Sequence, residues 1–265
     1  MTLTQEDMEL FKELRMTEFG RVIQEIIDDP ARDHDSFEGK IKQALYAQRD
    51  ARDSRRIEKL MKEAGLNTTA AALERFDTTT DRGITADRIN RLASCDWIVH
   101  GQDLLLIGAT GTGKSYLAQA LGVHACRSQF PTRYYRLADL ADDFDALAVN
   151  PAARKEFLAS LVKPALLVLD DFLATTVSDH ALFQVFNLLV ARENSSTVLA
   201  SQHQPEYWYS VFTDSAVADA VLSRLSNNGL LLRLRGEDMR TRTDLNVDHP
   251  YRNTTIPRHL RRAER

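Results

Sequence analysis

Gly108-Ala109-Thr110-Gly111-Thr112-Gly113-Lys114-Ser115 lies between the apolar run Leu104-Leu105-Leu106-Ile107 and a segment of helix-forming residues. Strand, glycine-rich turn and helix follow one another in the order that a phosphate cradle requires. The glycines allow backbone N–H groups to converge on phosphate oxygens. The helix beginning near Lys114 directs the positive end of its dipole at the same anion. In this pattern Lys114 reaches the β- and γ-phosphates and Ser115 holds Mg²⁺. The stretch predicts an ATP or GTP site, with Gly108, Ala109, Thr110, Gly111, Thr112, Gly113, Lys114, Ser115 and the adjacent Tyr116 as its binding residues.

The rest of a nucleotide site is sought at the ends of other strands. Leu166-Leu167-Val168-Leu169 runs into Asp170-Asp171. An acid at the C-terminal edge of a buried strand, downstream of a phosphate loop, fits a magnesium-orienting carboxylate, which is Asp170. Asp171 stands where many ATPases carry the Glu that polarises the attacking water. It is one methylene shorter, so slow hydrolysis is expected unless a neighbour tightens the geometry. Thr197-Val198-Leu199-Ala200 ends in Ser201-Gln202. Gln202 there senses the γ-phosphate or holds the attacking water, although a plain polar turn has the same composition. Arg224, in Leu222-Ser223-Arg224-Leu225, is placed either to reach a neighbouring subunit's γ-phosphate or to form an intrachain ion pair.

From residue 102 onward, strands expected over 104–107, 133–137, 166–169, 197–200 and 230–234 alternate with helices such as 114–127 and 181–193. That alternation predicts an α/β fold with a parallel sheet covered by helices on both faces. Residues 1–75 read instead as charged helices. Leu10, Phe11, Leu14, Phe19, Val22, Ile23, Ile26 and Ile27 recur at helical spacing, Pro30 ends that run, and a second helix is expected over 37–64 with Gly65 as its stop. Too little apolar content is present for a large core, so this segment should pack on the larger domain or on another copy of itself. The threonine-rich stretch 66–81 reads as a linker, and helical periodicity resumes over 83–92. The domains expected are a helical N-terminal domain (1–75), an ATPase domain (76–245) and a basic tail (246–265).

The composition is that of an ordinary globular chain, with 43% hydrophobic and 27% charged residues, and the net charge of −4 excludes a chain that is basic throughout. Any nucleic-acid contact must come from local patches. Arg49, Arg52, Arg56 and Lys59 line one helical face and can follow a phosphate backbone without reading sequence. Interleaved Asp50, Asp53, Glu58 and Glu63 argue instead for a solvated face with i,i+4 ion pairs. The basic residues Arg133, Arg136, Arg154, Lys155 and Lys163 fall around the second and third strands, and Tyr134-Tyr135 reads as strand packing. Cys95 and Cys126 lack metal-ligand spacing and suggest two buried thiols in a reducing compartment. No apolar run approaches a membrane span and the N-terminus is acidic, so a cytoplasmic location is expected. Seven scattered histidines suggest no metal other than Mg²⁺.

Taken in order, Trp97-Ile98, the 108–115 loop, Leu169-Asp170-Asp171-Phe172, Ala200-Ser201-Gln202, Trp208-Tyr209, Ala218-Asp219-Ala220, Arg224-Leu225 and 236–240 resemble the IstB family. These are AAA+ helper ATPases of bacterial insertion sequences, related to the DnaC helicase loaders. The resemblance implies a P-loop AAA+ fold, ATP with Mg²⁺, binding to double-stranded DNA, self-assembly into a homo-oligomer, and cooperation with an IstA-type transposase in target choice. It puts Arg224 at the arginine-finger position and Arg240 where a second nucleotide-sensing arginine sits. It also makes Arg154 and Lys155 candidates for DNA contact, because initiator-type relatives carry an inserted DNA-binding helix there. The family motif Gly-Glu-Ser-Met-Arg is here Gly236-Glu237-Asp238-Met239-Arg240, so Asp238 departs from it. With no groove-reading motif visible, non-specific backbone contacts are the expectation. The alternative is a DnaC-like replicative helicase loader. A small-molecule kinase is disfavoured, since 201–219 contains no arginine for a catalytic lid.

Overall fold

The computed structural model describes residues 3–67, 69–79, 81–211, 223 and 229–239. Five parallel strands form its centre: β1 (Asp103–Ile107), β2 (Thr132–Arg136), β3 (Leu166–Asp170), β4 (Ser196–Ser201) and β5 (Gly229–Arg233). Their order is β2-β3-β4-β1-β5. β1 and β3 are buried at every position and β4 at all six, as expected of a parallel sheet covered on both faces. The strand period of two sends alternate residues to opposite cores. Leu104, Leu106, Val168, Val198 and Ala200 pack with α6 (Lys114–Arg127). Leu105, Ile107, Leu167, Leu169 and Leu199 pack with α7 (Leu137–Ala146) and α9 (Asp179–Ala191). The expected α/β architecture is therefore present, with strand bounds shifted by a residue. Leu137, expected to end the second strand, is instead the buried first residue of α7.

The N-terminal region forms α1 (Gln5–Glu13), α2 (Thr17–Asp28) and α3 (Phe37–Glu63). The long α3 spans about 40 Å at 1.5 Å per residue. Val22 and Ile26 of α2 bury against Ala44 of α3. The start of α2 has no capping side chain of its own. Gln48 of α3 supplies the cap: its Oε1 accepts from the Glu18 and Phe19 N–H groups at 3.1 Å each, and its Nε2 donates to the Arg15 carbonyl at 3.1 Å. At the other end of α3, Leu60 and Ala64 pack on Cys126 of α6. That helix therefore runs from a small bundle onto the sheet domain.

The stretch 66–81 is not a free linker. Ala71, Leu73 and Phe76 are buried in the α6-side core. The Tyr116 hydroxyl ties it down further, accepting from the Ala72 N–H at 3.3 Å and donating to the Ala72 carbonyl at 3.2 Å. The chain then enters α4 (Ala86–Ala93) and α5 (Asp96–Val99), which lead into β1. Between β2 and β3 lie α7 and α8 (Pro151–Val162), and α10 (Pro205–Val211) follows β4. Cys95 and Cys126 are free and buried, and burial raises both thiol pKa values. Among the described residues no helix is long and apolar enough to cross a membrane.

Candidate nucleotide site

The loop after β1 is shaped by residues that only its backbone geometry explains. Gly111 and Gly113 have φ of 82° and 88°, a region that suits glycine. A side chain on Gly108 would collide with the Leu234 carbonyl, so the loop and the segment after β5 approach at van der Waals distance. Thr112 Oγ1 donates to the Ala109 carbonyl at 2.8 Å and closes the turn. No side chain caps the start of α6, so its first N–H groups face the loop. The Lys114 ammonium lies across the loop, donating to the Ala109 carbonyl at 2.9 Å.

The ends of β3 and β4 close on the loop. Ser115 Oγ donates to Asp170 Oδ1 at 3.0 Å. The same oxygen accepts from the Asp171 N–H at 2.9 Å, and Oδ2 accepts from the Tyr134 hydroxyl at 2.9 Å. Burial, then the charge of Asp170, pushes the Tyr134 phenol pKa up, so the phenol stays protonated and donates. A hydroxyl and a carboxylate 3.0 Å apart beside a phosphate loop form the hard-oxygen pair that Mg²⁺ favours. Gln202, just beyond β4, accepts from Thr110 Oγ1 at 3.0 Å. Asp171 has left the strand at φ 51°. Its Oδ2 accepts from Arg136 Nε at 3.1 Å and Nη2 at 3.0 Å.

Part of this arrangement lines one cleft of about 610 Å³. That volume falls in the range of small-ligand sites. Of the residues that the motifs suggest, Thr110, Gly111, Gly113, Lys114, Ser115, Tyr116, Asp171 and Gln202 border it directly, whereas Gly108, Ala109, Thr112 and Asp170 do not line it. Other lining residues, Phe76, Arg82 and Met239 among them, were not legible as site residues. Phe76 lies against Tyr116, their rings 6.5 Å apart at 29°. Arg82 is buried, stacks over Phe76 at 4.6 Å and donates from Nη2 to the Thr112 carbonyl of the loop. Met239 donates its N–H to the Gly111 carbonyl at 2.9 Å, and the neighbouring Asp238 carboxylate lies where a side chain on Gly111 would fall.

The cationic candidates are elsewhere. Arg49, Arg52, Arg56 and Lys59 are exposed on α3. Arg49 pairs with Asp50 at 3.1 Å and Lys59 with Glu63 at 3.9 Å, the local ion pairs that the interleaved acids suggested. Arg154 of α8 donates to the Ala148 carbonyl at 3.1 Å, and Lys155 beside it is exposed. Arg224 and Arg240 lie outside the described residues, as does the expected 246–265 tail.

The IstB-like ATP binding protein family matches residues 9–247. The ATP-binding protein of insertion sequence IS1162 from Pseudomonas fluorescens is 32% identical over 76% of this chain and 87% of its own length. That of IS21 from Pseudomonas aeruginosa is 28% identical over 93% of this chain and 92% of its own. Among solved structures, the replication initiator DnaA bound to AMPPCP and single-stranded DNA superposes with a TM-score of 0.54 at 19% identity, over 66% of this chain and 53% of that one. The DnaC helicase loader superposes at 0.50 with 18% identity, over 62% of this chain and 97% of that one. At such identities the two structures establish the fold alone, a parallel sheet flanked by helices. The phosphate loop, the acid pair after β3 and a family match spanning nearly the whole chain agree: the protein belongs to the IstB-like ATP binding protein family of bacterial insertion sequences.

Proposed function

We propose that this protein is a Mg²⁺-dependent ATPase that assembles on double-stranded target DNA and recruits an IstA-type transposase to it. The observation that carries the ATPase half is the 3.0 Å contact between Ser115 Oγ and Asp170 Oδ1 beside the phosphate loop. Ser115 and Asp170 hold the Mg²⁺, which would neutralise phosphate charge as the γ-phosphoryl group leaves. The loop amides of 108–115 and the α6 N-terminus hold the phosphates. Lys114 exchanges the Ala109 carbonyl for the γ-phosphate. Phe76 and Tyr116 form an apolar wall for the base. Asp171 orients the attacking water once it is free of Arg136, and Gln202 and Thr110 face the γ-phosphate together. Arg224 completes the site from a neighbouring subunit, and Arg240 adds a second cation, so that assembly and turnover are linked.

In the same reading, residues 1–75 serve self-assembly and DNA contact, 76–245 are the ATPase domain, and 246–265 are a basic tail. Arg49, Arg52, Arg56 and Lys59, with Arg154 and Lys155, meet DNA phosphates without reading bases. Insertion-sequence relatives support the transposition role, and a cytoplasmic location belongs to the same proposal. The test is sizing of the protein with ATP and Mg²⁺, with duplex or with single-stranded DNA of the same length. Large ATP-dependent complexes on duplex support the proposal. Preference for single strands, with no assembly on duplex, would instead indicate a helicase loader.

A further inference from the structure

β2 is an edge strand of the sheet, and an uncovered edge leaves backbone donors unsatisfied. Here the end of α3 covers it. The Tyr134 N–H donates to the carbonyl of Ala64, the residue that closes α3, at 2.7 Å. Beside it, Arg133 Nη1 donates to the Glu63 carbonyl. Two of the last carbonyls of α3 are thus satisfied by β2 rather than by water. The side chain of the same Tyr134 points into the α6-side core and ends on Asp170 Oδ2, in a buried hydrogen bond of 2.9 Å. Its hydroxyl also accepts from Asn67 Nδ2, just past the end of α3, at 3.4 Å. One residue therefore bonds the N-terminal helix through its backbone and the acid of β3 through its side chain.

A carboxylate has two equivalent oxygens, and what distinguishes them is their partners. Asp170 Oδ1 receives Ser115 Oγ and the Asp171 N–H, whereas Oδ2 receives Tyr134 alone among the bonds described. With Oδ2 pinned on the core side, Oδ1 is the oxygen presented to the phosphate loop. Without the phenol hydroxyl, Oδ2 is a buried acceptor that must find another donor, and the carboxylate is free to turn toward one.

We propose that Tyr134 is a positioning residue that fixes the orientation of Asp170, and that it ties this orientation to how the C-terminal end of α3 seats on β2. The proposal rests on Asp170 being the Mg²⁺-holding carboxylate. Outer partners of this kind are worth about 10- to 100-fold in metal affinity. Because α3 also carries the exposed Arg49–Lys59 face, a load on that helix is transmitted through Tyr134 to the acid.

The experiment compares the full-length wild type with Tyr134→Phe, Arg133→Ala and Asp170→Asn, using a fluorescent ATP analogue. Binding is measured first in EDTA and then during a Mg²⁺ titration, with Mn²⁺ binding followed by electron paramagnetic resonance as a direct readout of the metal. Tyr134→Phe keeps the buried ring. It is expected to bind the analogue in EDTA as the wild type does and to need about tenfold more Mg²⁺ for the half-maximal response. Arg133→Ala, which loosens the seat of α3, is expected to shift the midpoint in the same direction by less. An unchanged midpoint in Tyr134→Phe overturns the proposal, and so does equal weakening in EDTA, which signals general damage. A shift in Tyr134→Phe with none in Arg133→Ala overturns the tie to α3. If Asp170→Asn leaves the Mg²⁺ requirement untouched, the assignment of Asp170 itself fails, and that result is separable from the others.

Discussion

Arg136 sets the availability of Asp171, and the size of that effect follows from the geometry. Both Nε and Nη2 converge on one oxygen, Oδ2, at 3.1 and 3.0 Å. The side chains are 51% and 46% exposed, so water and salt screen the pair. Exposed ion pairs are worth about 0.2–1 kcal/mol, and two donors to a single carboxylate oxygen put this one near the upper end. An energy of about 1 kcal/mol holds roughly five in six of the molecules with Asp171 engaged, since 1.4 kcal/mol is a factor of ten. Hydrogen bonding to Asp171 raises the Arg136 pKa above its ordinary value, so the guanidinium stays charged and the pair is open to screening by salt.

Arg136→Met should therefore raise the DNA-free ATPase rate about sixfold at low salt, if Asp171 orients the attacking water. The wild-type rate should climb toward the mutant rate as ionic strength rises from about 0.05 to 0.5 M, over which the screening length shortens from about 14 to about 4 Å. The mutant should be flat over that range. Steady-state phosphate release at saturating MgATP measures both. Thermal stability should change by less than about 1 kcal/mol, because the pair is exposed. A mutant rate equal to or below the wild type at low salt, with the salt response unchanged, refutes the reasoning and leaves Asp171 without the role assigned to it.

Gly113→Ala should abolish nucleotide binding by calorimetry while the protein remains folded, because its φ of 88° is strained for alanine and the new Cβ meets Arg82 Nη2. Arg82→Met should lower ATP affinity about tenfold and destabilise the fold by about 2 kcal/mol in chemical denaturation, since the Thr112 carbonyl loses a charged donor. Phe76→Ala should cost about 3–4 kcal/mol in the same measurement, the usual result for a buried aromatic ring, showing that 66–81 belongs to the core. Arg52→Glu with Arg56→Glu should weaken duplex binding and flatten its dependence on salt concentration, without altering ATP affinity. An unchanged slope would remove α3 from the DNA interface.

The legible part of the site is the part encoded locally. The 108–115 loop, the acids after β3 and Gln202 after β4 each combine a strand end with the residues that follow it, so a short window contains the whole signal. The residues missed are held by partners far away in the chain. Arg82 reads as a surface cation until the Thr112 carbonyl, thirty residues on, is placed beside it. The stretch containing Ala71, Leu73 and Phe76 has neither a strand nor a helix period, because it is an irregular segment pinned by Tyr116. Periodicity therefore has nothing to detect there, and its threonines read as a linker. The cationic face of α3 was legible as a face, and the Lys59–Glu63 pair on it follows from i,i+4 spacing, whereas Arg49–Asp50 joins adjacent residues.

Parallel register is the deeper obstacle. β2 and β3 are separated in sequence by two helices, and nothing in either strand alone states that Arg136 pairs with Asp170 and Tyr134 with Val168. Once that register is given, Tyr134 and Arg136 of β2 fall beside the two consecutive acids that end β3. Consecutive strand residues point to opposite faces, so Asp170 and Asp171 should diverge. They do not serve opposite faces, because Asp171 adopts φ 51°, a conformation that aspartate tolerates better than most side chains. That single turn leaves Asp170 fixed by the buried Tyr134 and brings Asp171 to the exposed Arg136. One carboxylate is thereby held by a buried hydroxyl and its neighbour by an exposed guanidinium. The different roles proposed for Asp170 and Asp171 thus rest on a neighbouring strand whose two tyrosines read by themselves as sheet packing.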